Sequence, residues 1–371
     1  MKKFGVAVVC LVASAALLAA CGSSNKSSSS TSGGAASSGA TSSKGGKIAF
    51  LLPENQTARY ESSDRPLFTQ DVKQLCPTCQ ILYSNASQDA AKQQQQAEAA
   101  LSQGVDVMVL DPVDGAAAAA IVNQANAKKV PVISYDRLLL NSKPDYYVEF
   151  NSPSVGKIQG QALVDKLKQE GKKGSIVMIN GAPTDNNAKL FKQGAHSVID
   201  NSGFKVAKEY DTPDWTPAKA QTEMDQAISA LGKNGFVGVY AANDGTGGGA
   251  IAAMKGAGID PGTRFVTGQD AELAAIQRIL KGDQYMTVYK PIKPLADKAA
   301  EWAVALSKGQ KVTDATATEN NGKADVPTLK LDVVPVTADK VKDTVVADGF
   351  WPADQICTSA YAAACQKYGI K

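Results

Sequence analysis

The chain has 371 residues, of which 44% are hydrophobic and 20% are charged, and its formal net charge is +3. This length suits two domains, and this composition suits buried cores. The charges are spread along the chain without a strong basic block, which argues against nucleic-acid binding. The single histidine, His196, argues against a histidine-based metal site and against a Ser-His-Asp triad.

The N-terminus has the pattern of a secretory signal. Lys2 and Lys3 precede an apolar run, and small residues lead up to Cys21. This pattern predicts a signal peptide over residues 1–20, which is too short for a spanning helix. The stretch "LAAC" also resembles a bacterial lipobox, so we expect Cys21 to be lipidated and to become the new N-terminus. A plain signal with an incidental cysteine is the alternative.

The segment that follows is almost entirely Ser, Gly, Ala and Thr, over residues 22–46. Such a composition cannot bury enough apolar area to fold. We therefore expect residues 21–46 to be a lipidated cysteine with a disordered tether, of root-mean-square span about 25–30 Å. The tether would hold a folded module close to a membrane.

From Lys47 onward, short apolar runs alternate with longer amphipathic segments. Strand-like runs lie at 47–52, 80–84, 105–110, 130–135, 146–150, 174–179, 204–210, 236–241, 264–268 and 285–289. Helical periodicity marks 88–103, 114–128, 154–170, 216–231 and 271–281. This alternation predicts an α/β fold with parallel sheets covered by helices, in two doubly wound units that divide near residue 150.

Four cysteines lie in this folded part: Cys76, Cys79, Cys357 and Cys365. Outside the cytoplasm, the spacings "CPTC" and "CTSAYAAAC" most simply indicate two local disulfides, although four cysteines allow three connectivities. A redox-active first pair is an alternative. Zinc bound by all four is less favoured, because the second spacing does not suit a zinc knuckle.

Polar and aromatic residues follow the predicted strands, and ligands in open parallel sheets bind beyond the carboxyl ends of strands. These residues are Arg59, Tyr60, Asp136, Arg137, Asp185, Asn186, Asn187, Trp215, Asn243, Asp244, Gln269, Asp270 and Lys290. Carboxylates and amides bind adjacent hydroxyls, arginine donates in pairs, and aromatic faces cover a sugar ring. The set predicts a sugar site, with helix capping by Asp136 or Asp244 and a core role for Trp215 as alternatives.

The glycine-rich stretch "AANDGTGGGA" (241–250) is typical of a phosphate loop at first sight. No Walker lysine follows the glycines, and the chain has no strand-linked G-x-G-x-x-G, so a nucleotide enzyme is disfavoured. We expect the glycines to permit a sharp turn into a helix. The Asn243 side chain would then point at a sugar hydroxyl, while Asp244 caps or orients the turn.

Seven motifs occur in an order that resembles the D-xylose-binding periplasmic proteins, within the ribose-type class of sugar-binding proteins of ABC importers. They are "SYDRLL", "APTDNNAKLF", "DWTPAKA", "AANDGTGGGAI", "GQDAELAAIQRI", "MTVYKPI" and "ADVPTLKL", and the resemblance covers about residues 47–350. It implies the type I periplasmic-binding-protein fold: two doubly wound parallel-sheet lobes joined by three crossover strands. The N-terminal lobe would comprise 47–150 plus about 291–323, and the C-terminal lobe 151–290 plus about 324–371. The crossings would lie near 150, 290 and 322–326.

The resemblance also implies a role for each site residue. Sugar hydrogen bonds would come from Arg59, Asp136, Arg137, Asp185, Asn187, Asn243, Asp270 and Lys290. Tyr60 and Trp215 would sandwich the ring, and Tyr60 stands where the family is expected to have tryptophan. The tail, 351–371, goes beyond the family pattern, and we expect it to be stapled by its cysteines and packed on the second lobe.

The function that the resemblance implies is binding, with no catalysis, cofactor, metal or nucleic acid. The partners would be a monosaccharide (D-xylose or a close pentose or hexose), an ABC permease, and a membrane reached through the lipid anchor. We expect an extracytoplasmic monomer in a Gram-positive-type envelope. A sugar sensor that serves a chemotaxis or kinase receptor is the alternative. A repressor is disfavoured because the signal and tether occupy the place of its helix-turn-helix.

Overall fold

The computed structural model of the chain describes residues 45–371. The predicted signal peptide, Cys21 and almost all of the predicted tether lie outside the described residues. Among the described helices, none has the length and apolar character needed to cross a membrane.

The strands are, in chain order, β1 (Lys47–Leu52), β2 (Gln80–Asn85), β3 (Val107–Leu110), β4 (Val132–Tyr135), β5 (Tyr146–Phe150), β6 (Ser175–Asn180), β7 (Lys205–Asp211), β8 (Gly238–Ala241), β9 (Met286–Tyr289), β10 (Ala317–Asn320), β11 (Asp325–Leu331) and β12 (Val334–Thr337). The helices are α1 (Arg65–Leu75), α2 (Ala90–Ser102), α3 (Ala119–Ala127), α4 (Ser152–Gln169), α5 (Asn186–Ile199), α6 (Pro217–Leu231), α7 (Asp244–Gly256), α8 (Leu273–Lys281), α9 (Ile292–Ser307), α10 (Ala353–Ile356) and α11 (Ala362–Lys367).

The first lobe is built on a seven-stranded sheet of order β10-β11-β5-β4-β3-β1-β2. Its strands pair in parallel except for the edge strand β10. Helices α1 and α9 cover one face through a core that includes Phe68, Leu295 and Trp302. Helices α2 and α3 cover the other face through a core that includes Ala97 and Ile121. Both faces are therefore buried, as the apolar strand runs predict.

The second lobe has a parallel sheet of order β7-β6-β8 and an antiparallel pair, β9 with β12. Single bridges between Val239 and Val266 and between Gln269 and Val288 continue the sheet from β8 to β9. The prediction of a full strand at 264–268 is wrong. Phe265 has a φ of +50°, which breaks the extended backbone there and leaves one bridging residue.

The chain passes between the two sheets after β5, after β9 and after β11. The third crossing lies at residues 332–333, so the predicted crossing at 322–326 and the boundary near 324 are wrong. Strand β11 pairs in parallel with β5 from Thr328–Tyr147 to Leu331–Phe150. This pairing keeps residues 325–331 in the first lobe's sheet.

The C-terminal tail packs on α8 of the second lobe. Ile356 and Ile370 join a buried cluster with Ile276 and Ile279 of α8. Cys357 is bonded to Cys365, and Cys76 is bonded to Cys79 at the end of α1. The structure thus has the two local disulfides and the stapled tail that the sequence led us to expect.

Candidate functional site

One cavity between the two sheets brings all ten predicted sugar-binding residues together. Its lining consists of Thr57, Arg59, Tyr60, Asp136, Arg137, Asp185, Asn187, Phe191, Trp215, Asn243, Gln269, Asp270 and Lys290. The empty space in the cavity is about 270 Å³ and includes open solvent, so the cavity suits only a small ligand.

The first lobe contributes a rigid group of charges around Arg59. The Arg59 guanidinium donates to both carboxylate oxygens of Asp64, at 2.7 and 2.9 Å, and its Nη1 donates to Asp136 Oδ1 at 2.9 Å. The Tyr60 hydroxyl donates to Asp136 Oδ2 at 2.9 Å. Charge-assisted, two-pronged contacts of this kind fix both the position and the orientation of a side chain.

Asp136 is held as a carboxylate. Burial alone would raise its pKa, but Arg59, Lys290 and Arg137 together outweigh burial and hold the pKa of Asp136 at about 2. Asp136 directly follows β4 with a φ of +59°, a left-handed conformation that aspartate tolerates better than most residues. The turn aims its carboxylate at the cavity.

Arg137 connects the lobes. Its Nε lies 3.0 Å from Asp185 Oδ2 of the second lobe, as an ion pair whose angle is poor for a hydrogen bond. Two first-lobe carboxylates that follow β1 and β3 are also close: Glu54 lies 3.4 Å from Nη2 and Asp111 lies 3.6 Å from Nε. Burial and the nearby Asp136 raise the pKa of Asp111 well above its usual range, and Arg137 opposes them.

Asp185 organises the start of α5. Its Oδ1 accepts from the backbone N of Asn187 at 2.8 Å, which caps the helix, and its Oδ2 accepts from Trp215 Nε1 at 3.1 Å. Burial raises the pKa of Asp185, and Arg137 partly offsets the rise. One carboxylate thus positions a helix N-terminus, an arginine and an aromatic side chain of the site.

The two predicted stacking residues both line the cavity. The guanidinium carbons of Arg59 and Arg137 lie 5.2 and 5.6 Å from the Tyr60 ring centroid. The Trp215 indole packs against Gly181 so closely that a Cβ atom there would lie 1.9 Å from the ring. Gly181 is therefore needed for the position of the indole.

Asn243 has a capping role in addition to its place in the lining, and Asp244 has the second of its two predicted roles. Asn243 caps α7, because its Oδ1 accepts from Thr246 N at 2.8 Å and its own N donates to Thr246 Oγ1 at 3.2 Å. Asp244 does not cap the helix. It is buried below the cavity and accepts from Gln284 Nε2 at 2.7 Å and from Thr287 Oγ1 at 3.0 Å, so it orients the turn.

Three oxygen acceptors in the lining have no hydrogen-bond partner within the part of the chain that the structure describes. They are Asn187 Oδ1, Gln269 Oε1 and Asp270 Oδ1, and all three are buried. The nearest cation to Asp270 Oδ1 is Lys290 Nζ at 3.6 Å. Buried acceptors without partners cost free energy, so a ligand that offers several hydroxyl donors would complete this site.

Sequence reasoning missed Thr57 and Phe191 in the lining and did not commit to Gln269. Gln269 adjoins Asp270 at the same strand end, and Phe191 closes the "DNNAKLF" motif, so both had a signal in the sequence. The buried carboxylates behind the lining had no such signal in the sequence, because their role depends on the lining residues that they contact. They are Glu54, Asp64, Asp111 and Glu149.

A family model described as a periplasmic binding protein domain matches residues 48–311, so the chain belongs to this family of binding proteins. The D-xylose-binding periplasmic proteins of Haemophilus influenzae and Escherichia coli are each 37% identical to the chain. Those alignments cover 85% and 83% of this chain and 93% and 92% of the relatives. A solved structure of a carbohydrate transporter solute-binding protein from Chloroflexus aurantiacus, in complex with D-glucose, has a TM-score of 0.75 and 32% identity, and the match covers 83% of this chain and 97% of that one.

These matches confirm the type I periplasmic-binding-protein fold and the resemblance to the xylose-type branch. The chain is a sugar-binding protein of the kind that serves ABC importers, and its relatives are binding proteins, not enzymes.

Proposed function

We propose that this protein captures one free monosaccharide, D-xylose in the first place, in the cavity between its lobes and delivers it to an ABC permease. The observation that carries the proposal is the set of buried, unpartnered acceptors in a cavity of about 270 Å³. A polyhydroxylated ring offers several donors at once. Apolar ligands would leave the acceptors and the neighbouring charges unsatisfied.

Each of the ten residues predicted to bind sugar keeps its role in this proposal. Tyr60 and Trp215 cover the two faces of the ring, and the charged and amide side chains bind its hydroxyls: Arg59, Asp136, Arg137, Asp185, Asn187, Asn243, Asp270 and Lys290. The mixture of fixed donors and free acceptors requires hydroxyl groups that both accept and donate, which sugars provide.

The choice of D-xylose rests on the two relatives at 37% identity, which are D-xylose-binding periplasmic proteins. D-glucose is the main competitor, because a similar protein at 32% identity is seen with it. The two sugars differ by one hydroxymethyl group, so the fit of the cavity around that group decides between them. Tyr60, which already binds Asp136, sets part of that fit.

The proposed place of action is the outer side of the cell membrane, in a Gram-positive-type envelope. A lipid on Cys21 and the tether of residues 21–46 would keep the monomeric binding module beside its permease. Mass spectrometry of the mature N-terminus tests the anchor. A diacylated Cys21 supports it, and an unmodified N-terminus contradicts it.

The ligand is tested by thermal unfolding of the purified protein with D-xylose, D-glucose, D-ribose, L-arabinose and D-galactose. We expect the largest rise in midpoint with D-xylose, because binding to the native state alone stabilises it. No rise with any sugar would contradict sugar capture.

Delivery is tested by uptake of radiolabelled sugar in a deletion strain. We expect this strain to lose high-affinity uptake. Normal uptake together with lost sugar signalling would favour a sensor instead.

A further inference from the structure

Glu149 is a buried carboxyl at the point where the chain first leaves the first lobe. It lies in β5, three residues before α4 begins at Ser152, and the residue is 1% exposed. Its Oε1 accepts from the backbone N of Phe150 at 2.7 Å and from Ser152 Oγ at 3.4 Å. Its Oε2 accepts from Asn187 Nδ2 of the second lobe at 3.0 Å. Every one of these neighbours is a donor, so Glu149 acts as an acceptor at both oxygens.

The Asn187 amide has only one orientation that satisfies these contacts. Its Nδ2 donates to Glu149 Oε2 and also to the backbone oxygen of Asp136, each at 3.0 Å. Both partners are acceptors, so the nitrogen must face them. The oxygen, Oδ1, is thereby turned the other way, where it is buried and has no partner within residues 45–371. Asn187 lines the cavity, so this oxygen is available to a ligand.

We propose that Glu149 is a positioning residue: it fixes the Asn187 amide so that the site offers an oxygen, and not an N–H group, to one hydroxyl of the bound sugar. This inference rests on the proposed function and deepens it, because it states which property of that hydroxyl is selected. The hydroxyl must donate a hydrogen bond at this position. A sugar with fluorine there, which cannot donate, would be rejected.

The charges around Glu149 make this contact sensitive to acid. Burial and Asp136 raise the pKa of Glu149 well above its usual range, while Lys290 and Arg59 lower it by less. Tyr147, on the same strand, is a further titratable neighbour that interacts with Glu149. A protonated Glu149 would place an O–H group against donors, so the Asn187 amide would lose its fixed orientation.

The test compares the affinity for D-xylose with that for its four monofluoro-deoxy analogues, measured by isothermal titration. The same set is repeated with D-glucose if D-glucose binds the wild-type protein more tightly. We expect the wild-type protein to bind one analogue at least about tenfold more weakly than the parent sugar because Asn187 Oδ1 then faces fluorine. An Asn187→Ala variant shows which sugar position this is. Without Asn187 Oδ1, that analogue should no longer bind more weakly than the parent sugar.

In the Glu149→Gln variant, an amide N–H₂ replaces one acceptor and leaves the Asn187 amide free to turn. We expect about tenfold weaker binding of the parent sugar, and a penalty for that same analogue that shrinks to less than about threefold. A Glu223→Gln variant is the matched control, because Glu223 is half-buried in the second lobe, away from the cavity, and bonds to Thr212. The control should keep the wild-type pattern.

The outcomes separate the two proposals. If the wild-type protein binds none of the tested monosaccharides, the proposed function fails and this inference fails with it. If the wild-type protein binds sugar and Glu149→Gln keeps the full wild-type analogue pattern, only the role of Glu149 is overturned. If Glu149→Gln does not fold, Glu149→Asp replaces it, because the shorter side chain withdraws the carboxylate from Asn187 Nδ2 and keeps the charge. The analogue penalty should shrink in this variant, and the full wild-type analogue pattern would overturn the inference.

Discussion

Asn243 illustrates how a single residue serves both the fold and the site. Its side-chain oxygen caps α7, and the residue also lines the cavity. The two roles use different atoms of the side chain. The cap needs only the oxygen, whereas a hydrogen bond from Nδ2 to the sugar needs the amide nitrogen.

The two roles can be separated by two substitutions. Asn243→Ala should lower the free energy of unfolding by about 1 kcal/mol through the lost cap, and weaken sugar binding by about 1–3 kcal/mol. Asn243→Ser keeps a capping oxygen, so it should retain stability and lose affinity only. Urea unfolding and isothermal titration measure the two effects. Unchanged affinity in both variants would remove this residue from the site.

Asp136 should give the protein a pH dependence of known sign. Its pKa is about 2 in the folded protein, below the ordinary 3.8. The ionised form is therefore favoured by folding, and the resulting stability is present above about pH 4 and lost as pH falls through 2. The total is on the order of 2 kcal/mol.

Asp136→Asn removes this contribution. The stability difference between wild type and this variant should fall by on the order of 2 kcal/mol as the pH drops from about 4 to about 2. Changes above pH 5 reflect Asp111 and Glu149, whose pKa values Asp136 raises. Urea unfolding at several pH values measures the difference, and a value that stays the same from pH 4 to pH 2 would mean that the pKa of Asp136 is not lowered.

The sequence could predict the lining of the site but not the groups that hold the lining in place. Arg59, Asp136 and Lys290 follow strand ends, where position alone indicates a ligand site. Glu149 lies inside the strand run "YYVEF" and looks like an ordinary polar strand residue. Its meaning depends on Asn187, which is 38 residues away, and no local pattern contains that contact.

At the scale of elements, prolines explain some of the helices that periodicity did not predict. Helix α1 has Pro66 in its first turn, and α9 follows Pro291 and contains Pro294. Proline is favoured in the first turn, where its missing N–H group costs nothing, yet in a sequence it resembles a breaker. The third crossing has a different explanation. The family resemblance placed it at 322–326, whereas β11 stays in the first lobe's sheet and pairs with β5 from Thr328 to Leu331.

Trp215 lies in the turn Pro213–Trp215. Its indole must pack closely against Gly181, just after β6, to line the cavity. Gly181→Ala would place a Cβ atom 1.9 Å from the Trp215 indole, so the ring must move. We expect at least about tenfold weaker sugar binding although no polar contact is removed. Titration of the variant with D-xylose measures the effect.

Gly256→Ala is the matched control for Gly181→Ala. Gly256 ends α7, and a Cβ atom there would meet nothing within 4 Å. The substitution should leave sugar affinity unchanged and raise stability by up to about 1 kcal/mol, since alanine favours a helix. If Gly181→Ala binds sugar as well as Gly256→Ala does, the indole is not part of the site.

The two lobes are in contact, so the structure is a closed form. Arg137 of the first lobe contacts Asp185 of the second, and Asn187 of the second lobe contacts Glu149 of the first. The chain crosses between the lobes at three places, after β5, β9 and β11, and such connections permit a hinge motion. A ligand that contacts both lobes stabilises the closed form selectively.

Small-angle X-ray scattering tests this motion. The radius of gyration should be larger without sugar and should decrease when D-xylose is added at saturating concentration. An Asp185→Asn variant, with a weaker contact to Arg137, should need more sugar for the same decrease. A radius that does not change with sugar would contradict hinge closure as the response to the ligand.

Isothermal titration of D-xylose into the purified protein measures whether the cavity binds one free monosaccharide. We expect a saturable heat with one sugar per chain, and weaker binding by at least about tenfold for Trp215→Ala. The absence of binding heat with D-xylose and with D-glucose, or equal binding by wild type and Trp215→Ala, would contradict it.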